Sequence, residues 1–136
     1  MKTHAKRLKP GTDLKKELQE IIESEKIQGG VLLSCVGSLE KAVLRLAGAH
    51  PDKEPMKEIE GPLEIVSATG TLSQDGMHIH LSVADKNGSM YGGHLKEGCV
   101  VGTTAEVVIG ESESNTFHRR PDEETGFKEL EVEDRD

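Results

Sequence analysis

The sequence predicts an α+β domain in which one amphipathic helix covers a largely antiparallel sheet. Three observations carry this expectation. A segment near the start has apolar residues at helical spacing, the chain from Val31 onward breaks into short strand-like runs punctuated by glycine, proline or charge, and helical periodicity is nearly absent from those runs. A helix with a single apolar stripe has to bury it, and a sheet is the surface the rest of the chain can offer.

A first strand is expected over residues 4–8, ended by Pro10-Gly11-Thr12-Asp13. Thr12 or Asp13 can accept hydrogen bonds from the free N–H groups of a helix start. Leu14, Leu18, Ile21 and Ile22 then recur at i, i+4, i+7 and i+8, while Lys15, Lys16, Glu17, Glu20, Glu23 and Glu25 stay outside, and Gly29-Gly30 is expected to close the helix. Residues 31–36 and 41–47 read as strands flanking a hairpin or tight corner at Gly37-Ser38. Residues 50–58 read as a polar, proline-bearing loop and 63–72 as a strand, with Ser73-Gln74-Asp75-Gly76 turning the chain into another strand at 77–84.

In that last strand side chains alternate faces, so His78 and His80 leave one side while Met77, Ile79, Leu81 and Val83 leave the other. The turn Asp85-Lys86-Asn87-Gly88 sends the chain back through Met90-Tyr91-Gly92-Gly93 and brings His94 beside the pair. Three of the six histidines thus share a stretch of seventeen residues, the strongest pointer to chemistry in the chain. Residues 99–110, rich in β-branched side chains, form the last clear strand. From about residue 111 the composition turns to an acidic tail, part of it expected to be mobile, although Phe117 and the alternation at 127–132 can add edge pairing.

At 136 residues the chain has the length of one domain, and 1–136 is taken as a single unit. With no Trp, one Tyr and two Phe, the core has to come from aliphatic side chains, and base stacking on aromatic platforms is not available. A net charge of −8 opposes tight binding to duplex DNA, and the lysines and arginine near the start read as solvated surface. Cys35 and Cys99 sit inside apolar runs and read as small buried residues rather than a disulfide framework. With no signal peptide at the start and no apolar run long enough for a membrane span, the expected setting is the cytoplasm, without membrane contact.

The ordered set Arg7-Leu8 with Pro10-Gly11-Thr12-Asp13-Leu14, Gly37-Ser38-Leu39, Leu63-Glu64-Ile65-Val66-Ser67 with Gly70-Thr71, His78-x-His80, and Gly92-Gly93-His94-Leu95-x-x-Gly98 resembles the PPC domain, the plants and prokaryotes conserved domain also called DUF296, in its prokaryotic branch. The resemblance runs from about Lys6 to Ile109. It implies a curved, barrel-like antiparallel sheet with a main helix packed on it, and assembly into homotrimers. Plant members of the family carry AT-hook motifs with an Arg-Gly-Arg-Pro core. Here the nearest approach is Arg119-Arg120-Pro121, which has no central glycine and lies among acids, so the DNA-binding role associated with the family lacks its element. The fold is also similar to that of acetolactate decarboxylase and an ester-hydrolase-like group, both of which hold zinc through three histidines; likeness of fold alone carries no activity across.

Zinc takes imidazole nitrogens at about 2.0–2.1 Å, and a catalytic centre has three protein ligands with a fourth position open. His78, His80 and His94 match that count, zinc or another divalent transition metal being the expected ion. The competing reading is that the three rings hydrogen-bond neighbouring carbonyls or carboxylates, at a subunit contact or elsewhere. Glu64 and Glu106 lie within expected strands and are the candidate acid or base groups; Arg7 and Arg45 are candidate ion-pair partners or anion contacts. Two functions follow as expectations. The first is a homotrimeric binding or regulatory module, associated with DNA by family and carrying a metal or small-ligand site. The alternative is a metal-dependent lyase or hydrolase acting on a small carboxylate or ester.

Overall fold

A computed structural model describes residues 1–135. In chain order the elements are β1 (Lys2–Leu8), α1 (Leu14–Ser24), β2 (Gly30–Arg45), β3 (Met56–Ser73), β4 (Gly76–Ala84), β5 (Met90–Leu95), β6 (Val100–Glu111), β7 (Asn115–Pro121) and β8 (Lys128–Asp134). The helix starts where the sequence supplies an acceptor: Asp13 takes the Lys16 N–H through Oδ1 at 3.0 Å. Its stripe of Leu14, Leu18, Ile21 and Ile22 is buried, each worth about 1.5–3 kcal/mol of transfer out of water.

The helix ends at Ser24, short of Gly29-Gly30. Lys26 adopts a left-handed backbone at φ 54°, its N–H bonded to the Glu23 carbonyl, and the Ile27 N–H bonds the Ile22 carbonyl. That pair of bonds is a Schellman stop, formed here without its usual glycine. It turns Ile27 into the core, where it is fully buried.

Six strands form one antiparallel sheet in the order β1-β6-β2-β3-β4-β5, and β2 also pairs with β5 through Leu44↔Leu95 and Arg45↔His94. Strands β2, β3, β4 and β5 therefore close on themselves as a small ring, the curved, barrel-like sheet expected. Leu39, Ala42 and Leu44 of β2, Leu63 and Leu72 of β3, Ile79, Leu81 and Val83 of β4, and Leu95 of β5 form the core with the helix stripe.

Ring closure depends on a departure from the expected corner at Gly37-Ser38. Strand β2 is continuous there and bends instead, with register shifts against β6 near Leu32, Gly37 and Leu39. Gly37 sits at φ 153°, and a Cβ on it would meet the Thr104 carbonyl oxygen at 1.9 Å, so only glycine lets β2 and β6 stay in contact through the bend. The second departure is at the acidic tail: β7 and β8 form an antiparallel hairpin with Phe117 opposite Val132. It docks on the main sheet through the Phe117 N–H bonded to the Gln28 carbonyl at 2.9 Å and the Arg119 N–H bonded to Asp75 Oδ2 at 3.1 Å. No helix among the described residues is long and apolar enough to cross a membrane.

Candidate metal centre

Strand pairing sets the histidines side by side. His80 lies directly opposite His94 across β4 and β5, His94 opposite Arg45 across β5 and β2, and His78 opposite Thr71 across β4 and β3. Directly opposed residues share a face, so the imidazoles gather on the outside of the ring while Ile79 and Leu81 point inward and are 1% exposed. Gly93 enables the closure: a Cβ there would sit 2.6 Å from the Arg45 carbonyl oxygen, whereas at Gly92 the nearest atom would be 3.5 Å away. Of the two glycines preceding His94, one is thus required by close packing and the other is not.

One ring nitrogen from each of His78, His80 and His94 lies within 4.8 Å of the other two. The His78 and His80 Nε2 atoms are 3.2 Å apart, close to the ~3.4 Å that separates two nitrogens bound tetrahedrally to zinc. His94 Nδ1 is buried and is the one such side-chain atom among the described residues with no hydrogen-bond partner. Burial, with Arg45 close by, holds the His94 imidazole down to about 4, and burial, with His80 next, lowers His78 as well. Both shifts favour the uncharged imidazole, the form a metal requires, and the His94 Nδ1 lone pair is not taken up by any hydrogen bond. The donor set fits a borderline metal such as zinc; three neutral ligands leave the charge of a divalent ion uncompensated.

Two recesses flank the cluster and share Arg45, His94 and Phe127. The first, of about 360 Å³, adds His78, Met77, Asp75 and, from the hairpin, Arg119, Lys128 and Glu129. The second, of about 380 Å³, reaches His80 under the 46–49 segment. That segment is held at its start by the Leu46 N–H on the Pro55 carbonyl at 2.7 Å, and beside it Glu54 accepts from Lys96 Nζ at 3.3 Å and from Arg45 at 3.4 Å; the two cations hold the Glu54 carboxyl below the usual range. The Arg45 guanidinium also lies over the Phe127 ring, 5.3 Å from its centroid.

Glu64 and Glu106 are exposed on their strands and line neither recess. Arg7 bonds Thr104 Oγ1 and the Thr103 carbonyl, also apart from the recesses. The carboxylates that do face the cluster are Asp75 and Glu129, and the second cation beside Arg45 is Arg119. A signal for the hairpin residues exists in the sequence: a basic pair and two phenylalanines set into an otherwise acidic stretch, in strand-like alternation.

The family model of the Plants and Prokaryotes Conserved (PCC) domain matches residues 1–113. Two Synechococcus proteins called bifunctional protein GlmU are 44% identical over 132 and 133 residues, 97% and 98% of this chain; the chain spans about a fifth of their length, 20% and 21%. A hypothetical protein from Salmonella has the same fold at a TM-score of 0.92 and 37% identity, covering 98% of this chain and 94% of its own. A metal-containing protein from Archaeoglobus fulgidus is 30% identical at a TM-score of 0.82, covering 94% and 91%. Acetolactate decarboxylase from Bacillus subtilis shares fold alone: TM-score 0.58, 15% identity, 80% of this chain and 52% of that one.

Proposed function

Since the chain belongs to the Plants and Prokaryotes Conserved domain family, we propose that it is a small-ligand binding module built on a metal centre, with His78, His80 and His94 holding zinc or another divalent transition metal. The supporting observation is the cluster itself: three ring nitrogens within 4.8 Å and a buried His94 Nδ1 with no partner. An imidazole serving only as a structural hydrogen-bonder would have a carbonyl or carboxylate against that atom. The similarity to a metal-containing archaeal protein adds weight. When bound, the ion supplies Lewis acidity at the position that three protein ligands leave open.

In this reading the module works as a cytoplasmic homotrimer, and any link to DNA runs through a partner, because the −8 chain has little means of neutralising phosphates. The test is elemental analysis of untagged protein beside a His78→Ala, His80→Ala, His94→Ala triple variant. The expected result is near one metal per wild-type chain and none in the variant. Wild type that is metal-free as purified and refuses zinc afterwards overturns the reading.

A hydrolase or lyase is the second reading, and Glu129 favours it. Its half-buried carboxylate lines the recess beside His78 and His94, where a proton acceptor would be needed. Metal-loaded protein should then cleave an activated ester such as p-nitrophenyl acetate, with the rate lost in Glu129→Gln although metal is retained. Equal rates in the two proteins remove Glu129 from that role.

A further inference from the structure

We propose that the recess between the histidine cluster and the C-terminal hairpin is an oxyanion site, in which the Arg119 guanidinium receives the carboxylate or phosphoryl group of a small molecule beside the metal centre. This rests on the metal-centre reading for its neighbour, while its own residues stand apart from the histidines.

Arg119 is placed by two bonds that leave most of its donors unused. Its backbone N–H is fixed on Asp75 Oδ2 at 3.1 Å, and one terminal nitrogen donates to Thr71 Oγ1 at 2.6 Å. Thr71 is the cross-strand partner of His78, so the guanidinium is anchored next to the first histidine on the same face. Five donors in a planar fork with one committed to a hydroxyl is an arrangement suited to bidentate recognition of an oxyanion.

The surrounding charges point the same way. The chain has 25 acidic residues, yet no carboxylate comes within ion-pair distance of this half-buried guanidinium among the described residues. Asp75 is occupied by the Arg119 N–H and by His118 Nδ1 at 3.5 Å, and Glu129 shares the recess without pairing. Arg45 is engaged with Glu54, and Lys128 adds a further positive charge to the lining. Glu129 acts on the guanidinium only from beyond ion-pair distance, and a partly desolvated cation without a paired carboxylate is costly. Three neutral imidazoles with a divalent ion would make the recess more positive still, and an anionic ligand offsets both. Met77 and Phe127 supply apolar contact for a short carbon body, and about 360 Å³ suits a small molecule.

The test titrates lactate, its neutral amide lactamide, and inorganic phosphate into zinc-loaded and metal-free protein by calorimetry, for wild type, Arg119→Gln, Arg119→Lys and Thr71→Val, with zinc content and circular dichroism measured on each. Lactate should bind and lactamide should not. Arg119→Gln should weaken lactate about tenfold with zinc content unchanged. Arg119→Lys, which keeps the charge without the fork, and Thr71→Val, which frees the guanidinium, should give smaller losses. A preference for lactate over phosphate, or the reverse, supports the site and identifies which oxyanion it takes. If wild type takes up zinc but lactamide binds like lactate, or Arg119→Gln and Arg119→Lys both bind like wild type, the anion site is overturned and the metal centre stands. If wild type refuses zinc but metal-free protein still binds lactate through Arg119, the metal reading falls and the anion site stands. No binding of either anion in either form overturns it.

Discussion

Cys35 and Cys99 are free thiols 9% and 0% exposed, and neither belongs to the histidine cluster. Burial alone pushes the Cys35 thiol up to about 11, and burial raises Cys99 as well. The sign of the resulting pH dependence follows from proton counting. Between about 9, where an unfolded thiol ionises, and about 11, the folded chain keeps protons that the unfolded chain releases, so stability falls as pH rises through that window. The urea midpoint should therefore drop from pH 8.5 to pH 10.5, and the drop should be smaller in Cys35→Ala, whose cavity penalty is the same at both pH values. An identical drop in the variant would show that other groups carry it. His94 shows the same burial acting on a base: there the neutral form is favoured, which is what a metal ligand needs.

Asp13 joins two elements, and its loss should be felt at both. Oδ1 caps α1 on the Lys16 N–H at 3.0 Å, while Oδ2 accepts the Gly98 N–H at 2.7 Å and so fixes the turn that follows His94 and β5. Asp13→Ala is expected to cost about 1–2 kcal/mol in urea unfolding, and Asp13→Asn, which retains one carbonyl acceptor, about half of that. A cost near zero for Asp13→Ala would mean that water replaces both bonds. This cap was legible in the sequence, as was the placement of the three histidines, because helix caps and the two-residue alternation of strands are local rules. What local rules could not report is pairing at a distance. The bend at Gly37 reads as a chain reversal when its partners are unseen; paired with Ala105 of β6, the same glycine lets β2 curve on along β3 until Arg45 meets His94. The hairpin was obscured for a related reason: acidic composition reads as solvated tail, and Arg119 acquires meaning only once Thr71 and Asp75 are beside it. Glu64 and Glu106 lie in strands as the sequence indicates, but strand membership does not report which face or which end of the sheet a side chain occupies, and both stand exposed away from the recesses.

At the scale of the whole molecule, surface area and charge together make the proposed trimer testable in a specific way. A folded monomer of 14.8 kDa is expected to expose about 7,000 Å², and this chain exposes 7705 Å². Part of that surface is apolar where a monomer gains nothing from it: Leu33 and Val36 on β2 and Val66 on β3 are 48%, 54% and 50% exposed. Joining three copies buries such residues, but it also brings together three bodies of net charge −8, which repel. The two effects respond oppositely to salt from what an ion-paired interface would show. Salt screens the repulsion over about 10 Å at 0.1 M and leaves apolar contact intact, so association should tighten as salt is raised. Light scattering at micromolar concentration should give three times the 14.8 kDa chain mass, with the trimer persisting to lower concentration at 0.5 M salt than at 0.05 M. Val36→Glu, which puts another negative charge into the proposed contact, should return the mass to that of one chain while the histidine cluster still takes up zinc. A wild-type mass of one chain at every salt concentration removes the trimer, and dissociation on adding salt would assign the contact to ion pairs instead of the β2 and β3 side chains.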